Sequence, residues 1–157
     1  MSLVQILEDH IENITALIDC TRRERDAIVY NRIQEMGDIA FEKSGLLRRS
    51  SELEQAREST CADILGTPYA ANTAMQEVLG RLPAEIRPQL EKLRNQLKEK
   101  SFELHRENEI NAVLMRDQLE YARFMLSIMC GTIQKDFYAA NGAKRPPAEG
   151  TILNRKG

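Results

Sequence analysis

The chain has 157 residues, of which 29% are charged and 5% are aromatic, with no tryptophan and a formal net charge of -2 at pH 7. The length predicts one domain, and the nearly balanced charge gives no reason to expect a nucleic-acid or anionic-membrane partner. Cys20, Cys61 and Cys130 are far apart and form no Cys-x-x-Cys or Cys/His cluster, which argues against both a disulfide framework and a zinc site.

The first residues have no features of a secretion signal. Glu8, Asp9 and Glu12 closely follow the first apolar residues, and no basic segment precedes them. No apolar run approaches the roughly 18 residues needed to span a bilayer. Together with unpaired thiols, which are typical of reducing compartments, these features predict a cytoplasmic protein without membrane insertion.

Residues 3–64 are predicted to form one long helix. They hold no proline and only two glycines, Gly37 and Gly45. Their apolar residues recur at heptad spacing, which is typical of a helix packed along a partner helix. These residues include Leu7, Ile11, Ile14, Ile18, Ile28, Ile39, Leu46 and Leu53. Arg25 and Arg32 interrupt the heptad row, which we interpret as local drift of the apolar stripe or a slight bend near Gly37 and not as a chain break.

The first clear stop is the sequence LGTP at residues 65–68, where Gly66 can take the left-handed position after a helix. A short helix is predicted over about 68–80. Pro88 cannot lie deep inside a regular helix, so a second long helix is predicted to begin near it, spanning about 84–140. The tail at 143–157 is rich in proline, glycine and charge and is predicted to be flexible.

These elements predict an all-α fold, an elongated, coiled-coil-like antiparallel pair of long helices with a short connecting helix. Residues 1–142 would form the single helical domain. In this arrangement the N-terminal residues 3–18 would lie beside the apolar residues 120–138.

The segment of residues 110–138 is too apolar for one helix seam. Its stretch FMLSIMC at residues 124–130 has six apolar residues of seven. A surface helix hides a stripe of about 100°, whereas this segment carries apolar side chains around most of its circumference. A second packing neighbour or another protein should cover the surplus. The methionines Met115, Met125 and Met129 favour a surface that accepts other helices.

Three polar residues, Asn108, Asn111 and Gln118, occupy seam positions of the second long helix where leucine would be more stable. One interpretation is that they fix the register of the helix pair. The other is that they hydrogen-bond backbone groups of a partner. The sequence alone leaves both open.

No motif predicts catalysis or a cofactor. The chain has two histidines, His10 and His105, which are isolated and expected to be solvated structural residues. There is no metalloprotease, di-iron or phosphate-loop pattern, and a helix pair offers no obvious concave pocket. The basic cluster RRER at residues 22–25 is interleaved with acids and is expected to be a solvated face. We therefore predict that the protein is not an enzyme and has no cofactor and no metal site.

Three stretches resemble the FlgN family of flagellar export chaperones. The sequence ERDAI at 24–28 is followed by NRI at 31–33, Lys43 and the leucine pair at 46–47, similar to a family pattern in the first helix. The sequence NEIN at 108–111 is similar to the family's N-x-x-N element. The sequence YAANG at 138–142 resembles its Y-G-x-x-G ending, with Ala139 in place of the first glycine.

The resemblance implies a cytoplasmic chaperone that binds the C-terminal amphipathic helices of the hook–filament junction proteins, FlgK and FlgL, and delivers them to the flagellar export gate. It also implies that Tyr138 contacts the export gate, while packing back onto the last helical turn is the simpler role for this side chain.

The residues expected to bind the client are the apolar residues of this segment that one neighbouring helix would leave uncovered. They are Ile110, Leu114, Tyr121, Phe124, Met125, Ile128 and Met129. The alternative is a structural coiled-coil protein that forms a homodimer through residues 110–138.

Overall fold

A computed structural model of the chain describes residues 2–66 and 75–129. Four helices account for nearly all of them: α1 (Leu3–Val29), α2 (Ile33–Leu65), α3 (Met75–Arg81) and α4 (Arg87–Met129). No strand occurs in these ranges, so the all-α class is confirmed. The chain divides into a first unit, Met1–Asp117, and a second unit, Gln118–Gly157, of which residues 118–129 are described.

The prediction of one helix over residues 3–64 is wrong, because the chain reverses direction at Tyr30–Arg32. Asn31 has φ 52°, in the left-handed region. The N–H of Arg32 donates to the carbonyl of Ala27 at 2.8 Å, and the N–H of Asn31 donates to that of Ile28 at 3.3 Å. This pair of bonds is the Schellman arrangement that ends a helix, with asparagine in the place that glycine usually takes. Gly37 lies within α2 and is not the bend.

The other helix boundaries lie close to the predicted ones. Gly66 has φ 69° and ends α2, donating its N–H to Ala62. The short helix ends at Arg81, one residue past the predicted end, whereas residues 67–74 lie outside the described ranges. Pro88 is the second residue of α4, within the first turn, where its missing N–H costs no intrahelical bond. The predicted end at about 140, the flexible tail and the boundary at 142 also lie outside the described residues and stay predictions.

Within the first unit, α2 and α4 run antiparallel and are joined through α3, as the predicted hairpin requires. Cys61 and Leu90 share one hydrophobic cluster, while Lys43 contacts Asn108 at 3.2 Å. The predicted place of α1 is wrong. Leu3 and Leu7 pack in the cluster that contains Leu90 and Leu93, at the beginning of α4, so α1 and α4 run parallel.

Two buried clusters hold the first unit together. The larger one joins all four helices and comprises Leu3, Leu7, Cys61, Val78, Leu79, Leu90 and Leu93. The smaller one, with Cys20, Ala27 and Ile39, lies between α1 and α2. Most of the predicted heptad residues of α1 and α2 are buried, including Ile14, Ile18 and Leu53 at 5% exposure or less. Across the described ranges, no helix is both long and apolar enough to cross a membrane.

Candidate functional site

The described part of the second unit is an exposed apolar helix. Eleven of its twelve residues, 118–129, are exposed, and the remaining one, Ser127, is half-buried. The large apolar side chains on it are Leu119, Tyr121, Phe124, Met125, Leu126, Ile128 and Met129, with exposures from 39% to 78%. Singly exposed apolar residues are ordinary, whereas contiguous exposed sets of this size are typical of interaction sites.

Five of the seven predicted client-binding residues form one face of this helix. Tyr121, Phe124, Met125 and Ile128 stand at i, i+3, i+4 and i+7, and Met129 adds the next position of the same stripe. Such spacing places side chains on one side of a helix. We call these five residues the α4 apolar face. Leu119 and Leu126, seven residues apart, form a second row that the prediction omitted, although their spacing is visible in the sequence.

The other two predicted residues, Ile110 and Leu114, belong to the first unit. Ile110 is 39% exposed and Leu114 is half-buried. They line a shallow depression of about 310 Å³ together with Arg106, Glu109 and Val113. Val113 and Met115 are also exposed, at 47% and 41%, although neither is among the predicted client-binding residues.

The buried seam of α4 ends at Asn111. This residue is 3% exposed, whereas none of the described residues 112–129 is buried. Its Nδ2 donates to the carbonyl of Thr21 at 2.9 Å and to Oε2 of Glu24, also at 2.9 Å. Asn111 therefore binds groups of its own chain and fixes α4 against α1. The first of the two interpretations of the seam asparagines holds for this residue.

Asn108 and Lys43 extend the same network to α2. Nζ of Lys43 donates to Oε2 of Glu24 at 2.7 Å and to Oδ1 of Asn108 at 3.2 Å. Nδ2 of Asn108 donates back to the carbonyl of Leu104 in its own helix. We call Glu24, Lys43, Asn108 and Asn111 the polar clamp. These four residues belong to the stretches on which the family resemblance rests, and they hold three helices in register.

The basic cluster at residues 22–25 is not simply a solvated face, because it pairs with α4. Nη2 of Arg22 donates to Glu103 at 2.7 Å and to Glu107 at 3.3 Å, and Nη1 of Arg25 donates to the second oxygen of Glu107. Glu107 is only 4% exposed. Its hydrogen bond from Arg25 is the main cause that lowers the pKa of this carboxyl. The hydrogen bond from Lys100 is the main cause that lowers the pKa of Glu103.

The two histidines lie in different surroundings. His105 is exposed, with Nε2 3.3 Å from Glu109, as expected. His10 is 7% exposed, and its Nε2 lies 3.1 Å from Oγ of Ser50, so the expectation that it is solvated is wrong. Within the described ranges, no three His, Cys, Asp or Glu side chains gather closely enough to hold a metal ion. Tyr138 lies outside those ranges.

Comparison with protein families gives a match. The model of the family described as FlgN protein covers residues 1–146. The chain belongs to the FlgN family. FlgN proteins are flagellar export chaperones and not a family of enzymes. Comparison with curated proteins and with solved structures found no match for this FlgN chain.

Proposed function

We propose that this FlgN protein holds the hook–filament junction proteins in the cytoplasm through their C-terminal amphipathic helices and delivers them to the export gate. The α4 apolar face is the client-binding surface in this proposal. The single observation that supports it is the exposure of five large apolar side chains on one side of a helix, from 39% for Met125 to 78% for Met129.

A helical client suits the geometry of this face. An amphipathic helix offers apolar residues at i, i+3, i+4 and i+7, which is the spacing of Tyr121, Phe124, Met125 and Ile128. The two methionines are flexible and can adapt to clients with different side chains. Leu119 and Leu126 provide a second apolar row for a client that wraps further around the helix.

The α4 apolar face would supply part of the free energy of client binding. Burying four large apolar side chains contributes roughly 6–12 kcal/mol before the cost of ordering and association. Micromolar affinity requires about 8 kcal/mol after an association cost of roughly 4–15 kcal/mol, so we expect further contacts with the client to contribute. We therefore expect a complex that forms without nucleotide or covalent chemistry and that releases its client at the export gate.

The decisive experiment is a calorimetric titration of the full chain with a C-terminal helical peptide of a hook–filament junction protein. The test variant is Phe124→Asp/Ile128→Asp. The matched control is Phe102→Asp/Ile33→Asp, because Phe102 and Ile33 are exposed at 74% and 72% but lie outside the α4 apolar face. We expect a 1:1 complex at micromolar affinity or better, at least about a hundredfold weaker binding for the test variant, and little change for the control.

Equal affinities for the test variant, the control and the unaltered chain would refute the assignment of this face, provided that circular dichroism shows the helices intact. Light scattering distinguishes the alternative, a homodimer formed through residues 110–138. In that case the unaltered chain would be a stable dimer at low micromolar concentration that binds no peptide.

Delivery to the export gate is assigned to Tyr138 on the family resemblance. The substitution Tyr138→Ala is expected to leave the peptide affinity unchanged while reducing capture by the cytoplasmic part of the export gate. Tyr121→Ala is the reciprocal control, since it should weaken the client complex and leave capture by the gate intact. If Tyr138→Ala weakened peptide binding instead, Tyr138 would belong to the client surface.

A further inference from the structure

The first unit contains an open groove that the client surface does not use. Its volume is about 560 Å³, and residues of α1, α2 and α4 line it. This volume lies in the range of small-molecule and side-chain pockets. Its apolar lining comes from Leu97, which is half-buried, and from Leu7 and Ile14, which are only 1% and 5% exposed. Aliphatic side chains of a ligand would therefore find hydrocarbon to contact in the groove.

The polar lining of the groove is cationic. Nε and Nη2 of Arg57 donate to the two carboxylate oxygens of Glu54 at 2.8 and 2.5 Å, so these two charges offset each other. Arg94 and Lys98 also line the groove, and neither forms an ion pair with any residue in the described ranges. Because they are four residues apart in α4, both lie on the same side of that helix. Among the described residues, these two positive charges of the groove have no ion-pair partner, in a chain whose net charge is -2.

His10 contributes a polar side chain to the lining of the groove, but not a third positive charge. It lines the groove, is 7% exposed and lies 3.1 Å from Oγ of Ser50. Burial is the main cause that lowers its pKa from 6.5, which favours the neutral ring. The positive potential of the groove therefore comes from α4, next to apolar side chains of α1.

We propose that this groove binds a segment of another protein that presents aliphatic side chains beside carboxylates. Charge complementarity selects this occupant. Arg94 and Lys98 attract carboxylates, and Leu97 is the main apolar contact for the aliphatic groups. The C-terminal residues 143–157 of the same chain carry four basic residues and one acidic residue, so their charge opposes binding here. The groove is a second docking site, independent of the proposed client face.

A defined peptide tests the groove directly. The probe is an acetylated and amidated 12-residue peptide made of three Leu-Leu-Glu-Glu repeats, added to the full chain and followed by two-dimensional NMR. We expect shifts in the backbone signals of His10, Ser50, Leu97 and Lys98. The peptide with glutamine in place of glutamate should bind about 2- to 30-fold more weakly, because two charge pairs are lost. The peptide with serine in place of leucine should not bind.

Charge reversal locates the site. The variant Arg94→Glu/Lys98→Glu should lose at least about tenfold in affinity for the acidic peptide. Its control, Arg48→Glu/Lys92→Glu, changes two exposed cations that do not line the groove and should bind as the unaltered chain does. If the charge-reversed variant fails to fold, Arg94→Gln/Lys98→Gln replaces it, with a smaller expected loss of affinity for the acidic peptide. The variant Phe124→Asp/Ile128→Asp should bind the acidic peptide as tightly as the unaltered chain does, which would show that the groove and the α4 apolar face are separate sites.

Three results would overturn the proposal. One is equal affinity for the glutamate and glutamine peptides, because the two cations would then not distinguish carboxylates from amides. Another is full competition by 10 mM inorganic phosphate, which would make the groove a site for free anions. The third is that the unaltered chain forms a dimer and the variant Arg94→Glu/Lys98→Glu is a monomer, because a second copy of the chain would then fill the groove.

Discussion

Nδ2 of Asn111 donates to the carbonyl of Thr21 at 2.9 Å, joining α4 to α1 across 90 residues of sequence. The same Nδ2 reaches Oε2 of Glu24, which also accepts from Lys43 of α2 at 2.7 Å. Glu24 thus links the amide of α4 to the lysine of α2, at the last buried position of α4. The residues beyond it, up to Met129, are not buried. The polar clamp therefore marks where the packed seam of α4 ends.

The substitution Asn111→Ala should lower the free energy of unfolding by about 2 kcal/mol, because two hydrogen bonds are lost and a partly buried carboxylate loses one donor. Asn95→Ala is the matched control, since Asn95 is an exposed residue of the same helix. Urea denaturation of both variants measures the difference. If both lost equally little stability, the clamp would contribute nothing beyond helix propensity.

Much of the fold follows from periodicity and capping residues in the sequence. The heptad row predicts Ile14, Ile18 and Leu53 as buried, and Gly66 marks the end of α2. The reversal at Asn31 escaped prediction because heptad spacing continues on both sides of it. A helix that folds back keeps the same pattern, since each half still needs one buried stripe. The same pattern does not reveal which of two helices it packs against, so the parallel placement of α1 and α4 was also missed.

The candidate site was predictable in part. A surplus of apolar residues is visible at 121–129, and the structure leaves these side chains exposed, although their role in client binding stays a prediction. The partners of Glu24 and Glu107 were not predictable, because charged residues on a helix surface usually face solvent. Contacts such as Arg25 with Glu107, 82 residues apart, depend on the helix arrangement. The groove around Arg94 and Lys98 depends on it as well.

Acid should destabilise the fold through Glu107. Hydrogen bonding by Arg25 lowers its pKa below the ordinary 4.5, so the folded state holds the carboxylate more strongly than the unfolded state does. This contribution is complete above pH 4.5 and is lost as the pH falls through the lower, folded-state pKa. Glu107→Gln should be less stable than the unaltered chain at pH 7, and its stability should fall less steeply below pH 4.5.

Glu99→Gln is the control for this effect, because Glu99 is an exposed residue of α4. Denaturation curves between pH 3 and 7 compare the three proteins. Parallel pH profiles for Glu107→Gln and the unaltered chain would contradict this prediction, because they would show that the pKa of Glu107 is the same in the folded and unfolded states.

The turn between α1 and α2 should tolerate glycine better than alanine. At φ 52°, the backbone of Asn31 is in a region that costs a residue with a Cβ about 1–2 kcal/mol, less for asparagine and nothing for glycine. Asn31→Ala should therefore lower the midpoint of thermal unfolding, and Asn31→Gly should leave it equal or higher.

Gly45→Ala provides the opposite case. Gly45 lies inside α2, and an added Cβ meets nothing within 4 Å. Alanine there should stabilise the protein by up to about 1 kcal/mol. If Asn31→Ala and Gly45→Ala shifted the midpoint in the same direction, the left-handed turn would not limit stability.

His10 should make stability depend on pH in a higher window than Glu107 does. Burial is the main cause that lowers its pKa from 6.5, while the nearby carboxylate of Glu54 opposes this effect. The unfolded chain takes up the proton first as the pH falls below 6.5, so acidification towards the folded-state pKa favours unfolding. The contribution is complete above pH 6.5.

Replacing His10 with glutamine should flatten the fall in stability between pH 7.5 and 5.5, whereas His105→Gln, which alters an exposed ring, should leave it unchanged. Equal profiles for the two variants would mean that burial of His10 has no net effect on its proton affinity.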